Sequence, residues 1–237
     1  MPASNFPDFL CIGAQKAGTT WLYENLRANP QIYFPPMKEV HFWDLFEERG
    51  LDWYRSLFDN AASGQIRGEI TPAYAILPKE KIAEIYALNP KLRVIYIVRN
   101  PIDRAWSAAK MELARAELDF NATPDEWFID EFNSDASCLR GGYKACLANW
   151  LSIFPKAQIL LLDYKEIAKN PRDFYFQCLD HIGCDKNVVS DEMLANLSAK
   201  IFAGEEQKIR PSLYKILQKL YPDADRYYAD LLEIPPR

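Results

Sequence analysis

Short runs of apolar residues alternate along the chain with segments whose apolar residues recur at helical spacing. Most runs are continuous, as is typical of parallel strands that are buried on both faces of a sheet. The runs predict strands at residues 9–13, 31–36, 65–71, 93–98 and 158–162. The helical spacing predicts helices at residues 21–29, 51–58, 79–88, 101–118, 142–154, 171–182 and 211–232, the last interrupted at 221–222. This order predicts an α/β fold with a central, mostly parallel sheet flanked by helices.

The composition fits one such domain over residues 1–237. A chain of 237 residues, of which 49% are hydrophobic, can bury a full core. The formal net charge of −5 argues against a general nucleic-acid binder, which needs clustered Lys and Arg. No apolar run approaches the length of a membrane span. The polar, acidic segment 121–138 predicts a surface excursion with one short helix.

The five cysteines lack the spacing of a metal site. Cys11 lies in a predicted strand, and Cys146 and Cys178 lie in predicted helices, so we expect buried free thiols. Free thiols favour a reducing compartment. The first eight residues lack the basic and apolar regions of a secretion signal. We therefore expect a cytoplasmic protein.

The first strand is followed by a loop suited to binding a phosphate. The sequence Gly13-Ala-Gln-Lys-Ala-Gly-Thr-Thr lies between a predicted strand and a predicted helix, where backbone N–H groups and the helix dipole attract anions. Lys16 adds a positive charge, and Gly18 allows close approach of the backbone. The loop differs from a Walker A loop because Lys16 comes two residues before Gly18. An ordinary turn with a solvated lysine remains the alternative.

A second pair of residues follows the most apolar strand. Arg99 comes directly after residues 94–98, and Ser107 follows eight residues later in the next predicted helix. Both side chains can therefore face the carboxyl edge of the sheet, where a guanidinium and a hydroxyl can hold a phosphate. A Walker B strand would end in a magnesium-binding Asp instead. Alternatively, Arg99 caps backbone carbonyls and Ser107 faces solvent.

Five segments in this order resemble the PAPS-dependent sulfotransferase family, closest to its heparan-sulfate-type branch and bacterial relatives. PAPS is 3′-phosphoadenosine 5′-phosphosulfate. The segments are Gln15-Lys-Ala-Gly-Thr-Thr-Trp-Leu, Lys38-Glu-Val-His-Phe-Trp-Asp, Glu69-Ile-Thr-Pro-Ala-Tyr, Arg99 with Ser107, and Asn149-Trp-Leu with the later Phe-Pro. The resemblance covers residues 9–182 and implies transfer of a sulfuryl group from PAPS to an acceptor hydroxyl or amine, with release of PAP. It implies no metal, since a sulfonate carries a single negative charge.

The resemblance also assigns donor-binding residues. The 5′-phosphosulfate loop comprises Gln15, Lys16, Ala17, Gly18, Thr19, Thr20 and Trp21. Arg99 and Ser107 match the spacing of the family's 3′-phosphate motif. Lys208 and Arg210 can add positive charge there, where relatives bring in a basic loop.

Three residues are the candidates for catalysis. Lys16 would neutralise charge on the leaving phosphate oxygen. Glu39 and His41 lie two apart on one loop and are both candidates for the base. The heparan-sulfate-type branch favours Glu39, whereas cytosolic relatives use a histidine, whose ordinary pKa also suits base work. The sequence leaves the choice open.

The sequence does not identify the acceptor or the oligomeric state. Ile70 stands where heparan O-sulfotransferases tend to have Lys before Thr-Pro-Ala-Tyr. A small molecule, a lipid or a weakly charged carbohydrate therefore fits better than a polyanionic chain. A kinase-like P-loop protein and a noncatalytic nucleotide-binding domain are the competing hypotheses. The displaced lysine and the missing Walker B residue argue against the first. The second is opposed by five residues retained together, namely Lys16, Glu39, His41, Arg99 and Ser107.

Overall fold

Five parallel strands form one sheet in the computed structural model, which describes residues 5–198 and 207–233. The strands are β1 (Phe9–Gly13), β2 (Ile32–Tyr33), β3 (Ile66–Ile70), β4 (Arg93–Val98) and β5 (Ile159–Asp163). Their order in the sheet is β2-β3-β1-β4-β5, and each described pair is parallel. The predicted α/β fold with a central parallel sheet is confirmed. Because all five strands run the same way, their carboxyl ends meet at one edge.

Helices cover the sheet. They are α1 (Thr19–Arg27), α2 (Gly50–Ser56), α3 (Lys79–Leu88), α4 (Pro101–Arg115), α5 (Asp125–Asn133), α6 (Asp135–Gly141), α7 (Tyr143–Leu151), α8 (Glu166–Lys169), α9 (Pro171–Ile182), α10 (Asp191–Asn196), α11 (Pro211–Leu220) and α12 (Ala224–Leu232). The capping of α4 shows why a helix starts directly after β4. The Asn100 side chain accepts hydrogen bonds from the N–H groups of Ile102 and Asp103, and Pro101 fits the first helical position.

The two central strands lie in the core. All five residues of β1 are buried, and five of the six residues of β4 are buried, Arg93 being the exception. Burial on both faces explains why these strands are continuous apolar runs. The five residues after Arg93 in β4 have no exposed surface at all. A rigid core therefore supports the loops that follow these strands.

Residues 121–138 differ from the prediction of a surface excursion with one short helix. They lie mostly in two helices, α5 and α6. Phe128 and Phe132 on α5 are fully buried and form a second core cluster with Trp106 of α4 and Leu213 of α11. Acidic residues cover the outer face of α5 and conceal this pattern in the composition. The two phenylalanines, four residues apart, mark the buried face.

The cysteines are free, and Cys11, Cys146, Cys178 and Cys184 are buried, whereas Cys138 is exposed. Burial raises the pKa of the Cys11 thiol to about 12. The described helices include none that is long and apolar enough to span a membrane. No group of acidic, histidine or cysteine side chains in the described ranges is arranged to hold a metal ion.

Candidate functional site

The loop between β1 and α1 presents free backbone donors. The Ala14 N–H donates to the Ile97 carbonyl at 2.6 Å, which anchors the loop to β4. Gly18 precedes α1 in the left-handed conformation, with φ of 85°, and no side chain caps the helix. The first N–H groups of α1 therefore have no intrahelical partner and are available to an anion.

Gly18 is required by close packing as well as by its backbone angle. A Cβ atom at this position would lie 2.4 Å from Cδ1 of Ile167 and 3.2 Å from the Tyr164 ring. Both neighbours belong to the segment after β5. This segment therefore closes over the loop, and a side chain at Gly18 would push it away.

The loop carries the positive charge of Lys16 and is held by a second cation, Arg99. The Arg99 guanidinium donates from Nη1 to the Lys16 carbonyl oxygen at 3.0 Å and lies 4.6 Å from the centre of the Tyr164 ring. Its Nε is buried without a hydrogen-bond partner. Burial lowers the pKa of Lys16 most, and the nearby positive charge of Arg99 lowers it further. Among the residues that the structure describes, neither cation has an ion-pair partner. Two nearby cations without an ion-pair partner are suited to binding an anion.

The other predicted donor residues differ in how far they are buried. Thr19 and Ala17 are buried, whereas Gln15, Thr20 and Ser107 are half-buried. The Trp21 side chain belongs to the core, since its Nε1 donates to the Leu197 carbonyl at 3.1 Å. A contact between Trp21 and a donor would therefore come from its backbone N–H.

The basic residues near the C-terminus have different environments. Lys208 is exposed. The Arg210 guanidinium donates to Asp125 Oδ1 at 2.6 Å and to the Thr123 carbonyl at 2.9 Å, and it lies over the Phe120 ring. Arg210 thus fastens α11 to the segment around α5. The assignment of Lys208 and Arg210 to a 3′-phosphate stays a prediction.

Residues 38–44, here called the acceptor loop, carry the remaining candidates. Glu39 and His41 have φ angles of 62° and 55°, and Lys16 has a φ of 66°. These three residues account for three of the five non-glycine residues with positive φ in the described part of the chain. Such strain persists where surrounding structure enforces it, and it concentrates at functional sites. The backbone thus singles out the same three residues that the sequence singled out.

Within the acceptor loop, side chains of both signs alternate. The Lys38 ammonium donates to Glu39 Oε1. On the other side, Glu39 Oε2 lies 3.5 Å from His41 Nε2. His41 Nδ1 lies 2.9 Å from Asp44 Oδ2. The histidine ring is therefore held between two carboxylates.

This arrangement fixes the protonation states. Although burial pulls the pKa of Glu39 upwards, hydrogen bonds from His41 and Lys38 and their positive charges lower it to about 2. Hydrogen bonds to Asp44 and Glu39 raise the pKa of His41 to about 9, although burial opposes them. At neutral pH Glu39 is a carboxylate and His41 an imidazolium. A protonated imidazole cannot accept a proton, so the geometry favours Glu39 as the base.

Asp44 is a functional candidate that the sequence reasoning missed. It lies three residues after His41 and supplies the hydrogen bond that contributes most to the raised pKa of that ring. The sequence indicated this role only by an acidic residue that lies three positions after a histidine on a short loop.

A comparison with known families matches the sulfotransferase domain to residues 6–211. The chain belongs to the sulfotransferase family. Human heparan sulfate glucosamine 3-O-sulfotransferase 6 is 34% identical to this sulfotransferase over 190 residues, covering 79% of this chain and 55% of that protein. Human heparan sulfate glucosamine 3-O-sulfotransferase 3B1 is 30% identical over 236 residues, covering 94% of this chain and 59% of that protein. The chain thus spans less than two thirds of the length of these relatives.

Solved sulfotransferase structures share the fold. The sulfotransferase from Alicyclobacillus acidocaldarius superposes with a TM-score of 0.74 at 23% identity, covering 97% of each chain. A mouse sulfotransferase complexed with PAP superposes with a TM-score of 0.55 at 18% identity, covering 97% of this chain and 84% of that chain. The predicted family is therefore confirmed by the sequence match, and the predicted P-loop-like α/β fold by both structures.

Proposed function

We propose that this sulfotransferase moves a sulfuryl group from PAPS to an acceptor hydroxyl and releases PAP. One observation carries the proposal. Arg99 bonds the Lys16 carbonyl and its charge acts on the Lys16 ammonium, and neither cation has an ion-pair partner among the described residues, beside a helix N-terminus that no side chain caps. A site of this kind suits a ligand with more than one phosphate or sulfate group.

The residues of the loop fit the 5′ end of the donor. The free N–H groups at the start of α1 and the hydroxyls of Thr19 and Thr20 would hold the 5′-phosphate. At the other end of the donor, the buried Nε of Arg99 lacks a partner, and an oxygen of the 3′-phosphate would satisfy it. Ser107 lies on the same helix that Arg99 precedes, so its hydroxyl would contact the same 3′-phosphate.

The acceptor loop would provide the base. PAPS supplies an activated sulfuryl group. Glu39 would take the proton of the acceptor hydroxyl. The hydroxyl oxygen would form a bond to sulfur while the bond between sulfur and the phosphate oxygen of the donor breaks. Lys16 would neutralise the charge that develops on that leaving oxygen. Catalysis then consists mainly of positioning and charge stabilisation, as in phosphoryl transfer.

The acceptor is proposed to be a hydroxyl on a weakly charged carbohydrate or small molecule. The named relatives act on a glucosamine of heparan sulfate, which supports a carbohydrate. Ile70 is buried, with 2% of its surface exposed, so this position presents no charge to an acceptor. A panel of neutral and sulfated oligosaccharides, assayed with PAPS, tests this choice. Preference for the sulfated members would contradict it.

Binding of the product nucleotide tests the donor proposal. We expect PAP at a hundredfold excess over its Kd to stabilise the protein by about 2.7 kcal/mol, measured as a rise in Tm. ATP and GTP should give smaller shifts because neither carries a 3′-phosphate for Arg99 and Ser107. A response to ATP as large as that to PAP would favour a kinase-like protein instead.

The 3′-phosphate contact can be tested with a donor that lacks this group, adenosine 5′-phosphosulfate. Wild-type protein should prefer PAPS, because each charge-assisted bond contributes about 1.5–3 kcal/mol. Arg99→Ala should reduce the ratio of the two Kd values about tenfold or more, and Ser107→Ala should reduce it less. Because Arg99 also holds the Lys16 carbonyl, Ser107→Ala is the variant that leaves the loop intact. Equal weakening of both donors in both variants would assign the 3′-phosphate to other residues.

A further inference from the structure

A buried carboxylate lies behind the acceptor loop. Glu69, the next-to-last residue of β3, has 1% of its surface exposed. It is the only acidic residue among the buried residues that the structure describes. No Lys or Arg in the described ranges pairs with it. Burial raises the pKa of Glu69, and such a group is costly unless hydrogen bonds satisfy it.

Three hydroxyl groups satisfy this carboxylate. Tyr74 donates its hydroxyl to Oε1 at 2.7 Å, and Thr71 donates to the same oxygen at 2.8 Å. Tyr54, on α2, donates to Oε2. Two tyrosines from different elements are thereby oriented by one side chain.

The same two tyrosines hold the acceptor loop. The Trp43 N–H donates to the Tyr74 hydroxyl at 3.4 Å. The Tyr54 ring stacks on the Phe42 ring with centroids 4.5 Å apart and an interplanar angle of 10°. Phe42 and Trp43 are buried and separate His41 from Asp44 in the chain.

We propose that Glu69 is a positioning residue for the catalytic carboxylate and its histidine. Through Tyr74 and Tyr54 it fixes Phe42 and Trp43, and these two residues set the separation of His41 from Asp44. The strained backbone at Glu39 and His41 needs such support, since positive φ is unfavourable for these residues. The effect on turnover rests on the proposed function, whereas the effect on the geometry of His41 does not.

The titration of His41 measures that geometry directly. Glu39 and Asp44 face the ring, Lys38 pairs with Glu39, and Glu69 and Arg140 lie near Asp44. The chain has two histidines, so a His181→Gln variant assigns the two imidazole signals in an NMR titration. In the wild type we expect the pKa of His41 to be about 9.

Two variants should weaken the contact between the His41 ring and the Asp44 carboxylate. Glu69→Gln leaves the network with one acceptor oxygen, and Tyr74→Phe removes the acceptor of the Trp43 N–H without a change of charge. Each should lower the pKa of His41 by about one unit or more, towards its ordinary value near 6.5. Turnover should fall about tenfold or more with the Kd of PAP unchanged, because the donor loop is not part of the network.

Thr71→Val is the matched control. It removes one hydroxyl donor from Glu69, but Thr71 does not touch the acceptor loop in the described hydrogen bonds. Tm should fall, but the pKa of His41 should shift less than in Tyr74→Phe, because Tyr74 and Tyr54 still hold Glu69 and the acceptor loop. An unchanged titration in Tyr74→Phe, folded and binding PAP, would overturn the inference, as would an equal shift in Thr71→Val. If Glu69→Gln does not fold, Tyr74→Phe decides. A wild type without turnover would contradict the proposed function alone.

Discussion

Glu39→Gln should lower turnover by about 10²–10⁴-fold, the range expected for loss of a general base, while the Kd of PAP stays unchanged. Gln keeps the size of the side chain and can still interact with Lys38 and His41, but it cannot take the acceptor's proton. Steady-state kinetics with PAPS and a titration of PAP on the same preparations measure the two quantities. Glu48→Gln, on an exposed glutamate of the next turn, is the control and should behave as the wild type.

The pH dependence distinguishes Glu39 from His41. The pKa of Glu39 is lowered to about 2 and that of His41 is raised to about 9. If Glu39 is the base, the rate should not fall as the pH decreases through about 6.5, because Glu39 stays ionised there. The rate should then fall as the pH rises through about 9, since His41 loses its charge and Glu39 loses a partner. With His41 as the base, the rate would instead increase through about 9. That result, together with an active Glu39→Gln variant, would assign the base to His41.

Lys16→Ala should lower kcat by about 10²–10³-fold, the loss seen when one stabilising donor is removed from a developing oxyanion. The KM for PAPS should change less, because the charge of Lys16 matters most as the leaving oxygen becomes negative. Burial and the neighbouring positive charges, Arg99 first, lower the pKa of Lys16, so an anion bound there would offset the repulsion between these cations.

Lys91→Ala is the control for this substitution. Lys91 is exposed and precedes β4, so it lies at the opposite edge of the sheet from the loop. Removing its charge should leave both constants unchanged. If Lys16→Ala raises KM and leaves kcat as it was, Lys16 is a binding residue rather than a catalytic one.

The donor half of the site could be predicted from sequence because its determinants are local. A buried strand, a turn with Gly18 and a helix that follows are contiguous in the chain. Arg99 could be placed beside them since both strands end at the same edge of a parallel sheet. Its contact with the Lys16 carbonyl and its position over Tyr164 depend on long-range packing, and the sequence contains no pattern for them.

The acceptor half was less accessible from sequence. The sequence singles out Glu39 and His41 as candidates, but the choice between them depends on which groups surround each one. Asp44 was missed. Its hydrogen bond with the His41 ring raises the pKa of that ring. The role inferred for Glu69 depends on Tyr54 and Tyr74, which lie 15 residues before it and five residues after it. A hydrophobic pattern predicts where such residues are buried, but not which hydroxyl meets which carboxylate.

The transfer of radioactive sulfur from labelled PAPS tests the central claim most directly. The label should appear on a hydroxyl-bearing acceptor, with one equivalent of PAP formed for each acceptor modified, and Glu39→Gln should slow both processes together. The account would be contradicted if the wild type binds PAP but leaves the label on PAPS with every acceptor. Transfer of a labelled phosphoryl group from ATP to the same acceptors would contradict it equally.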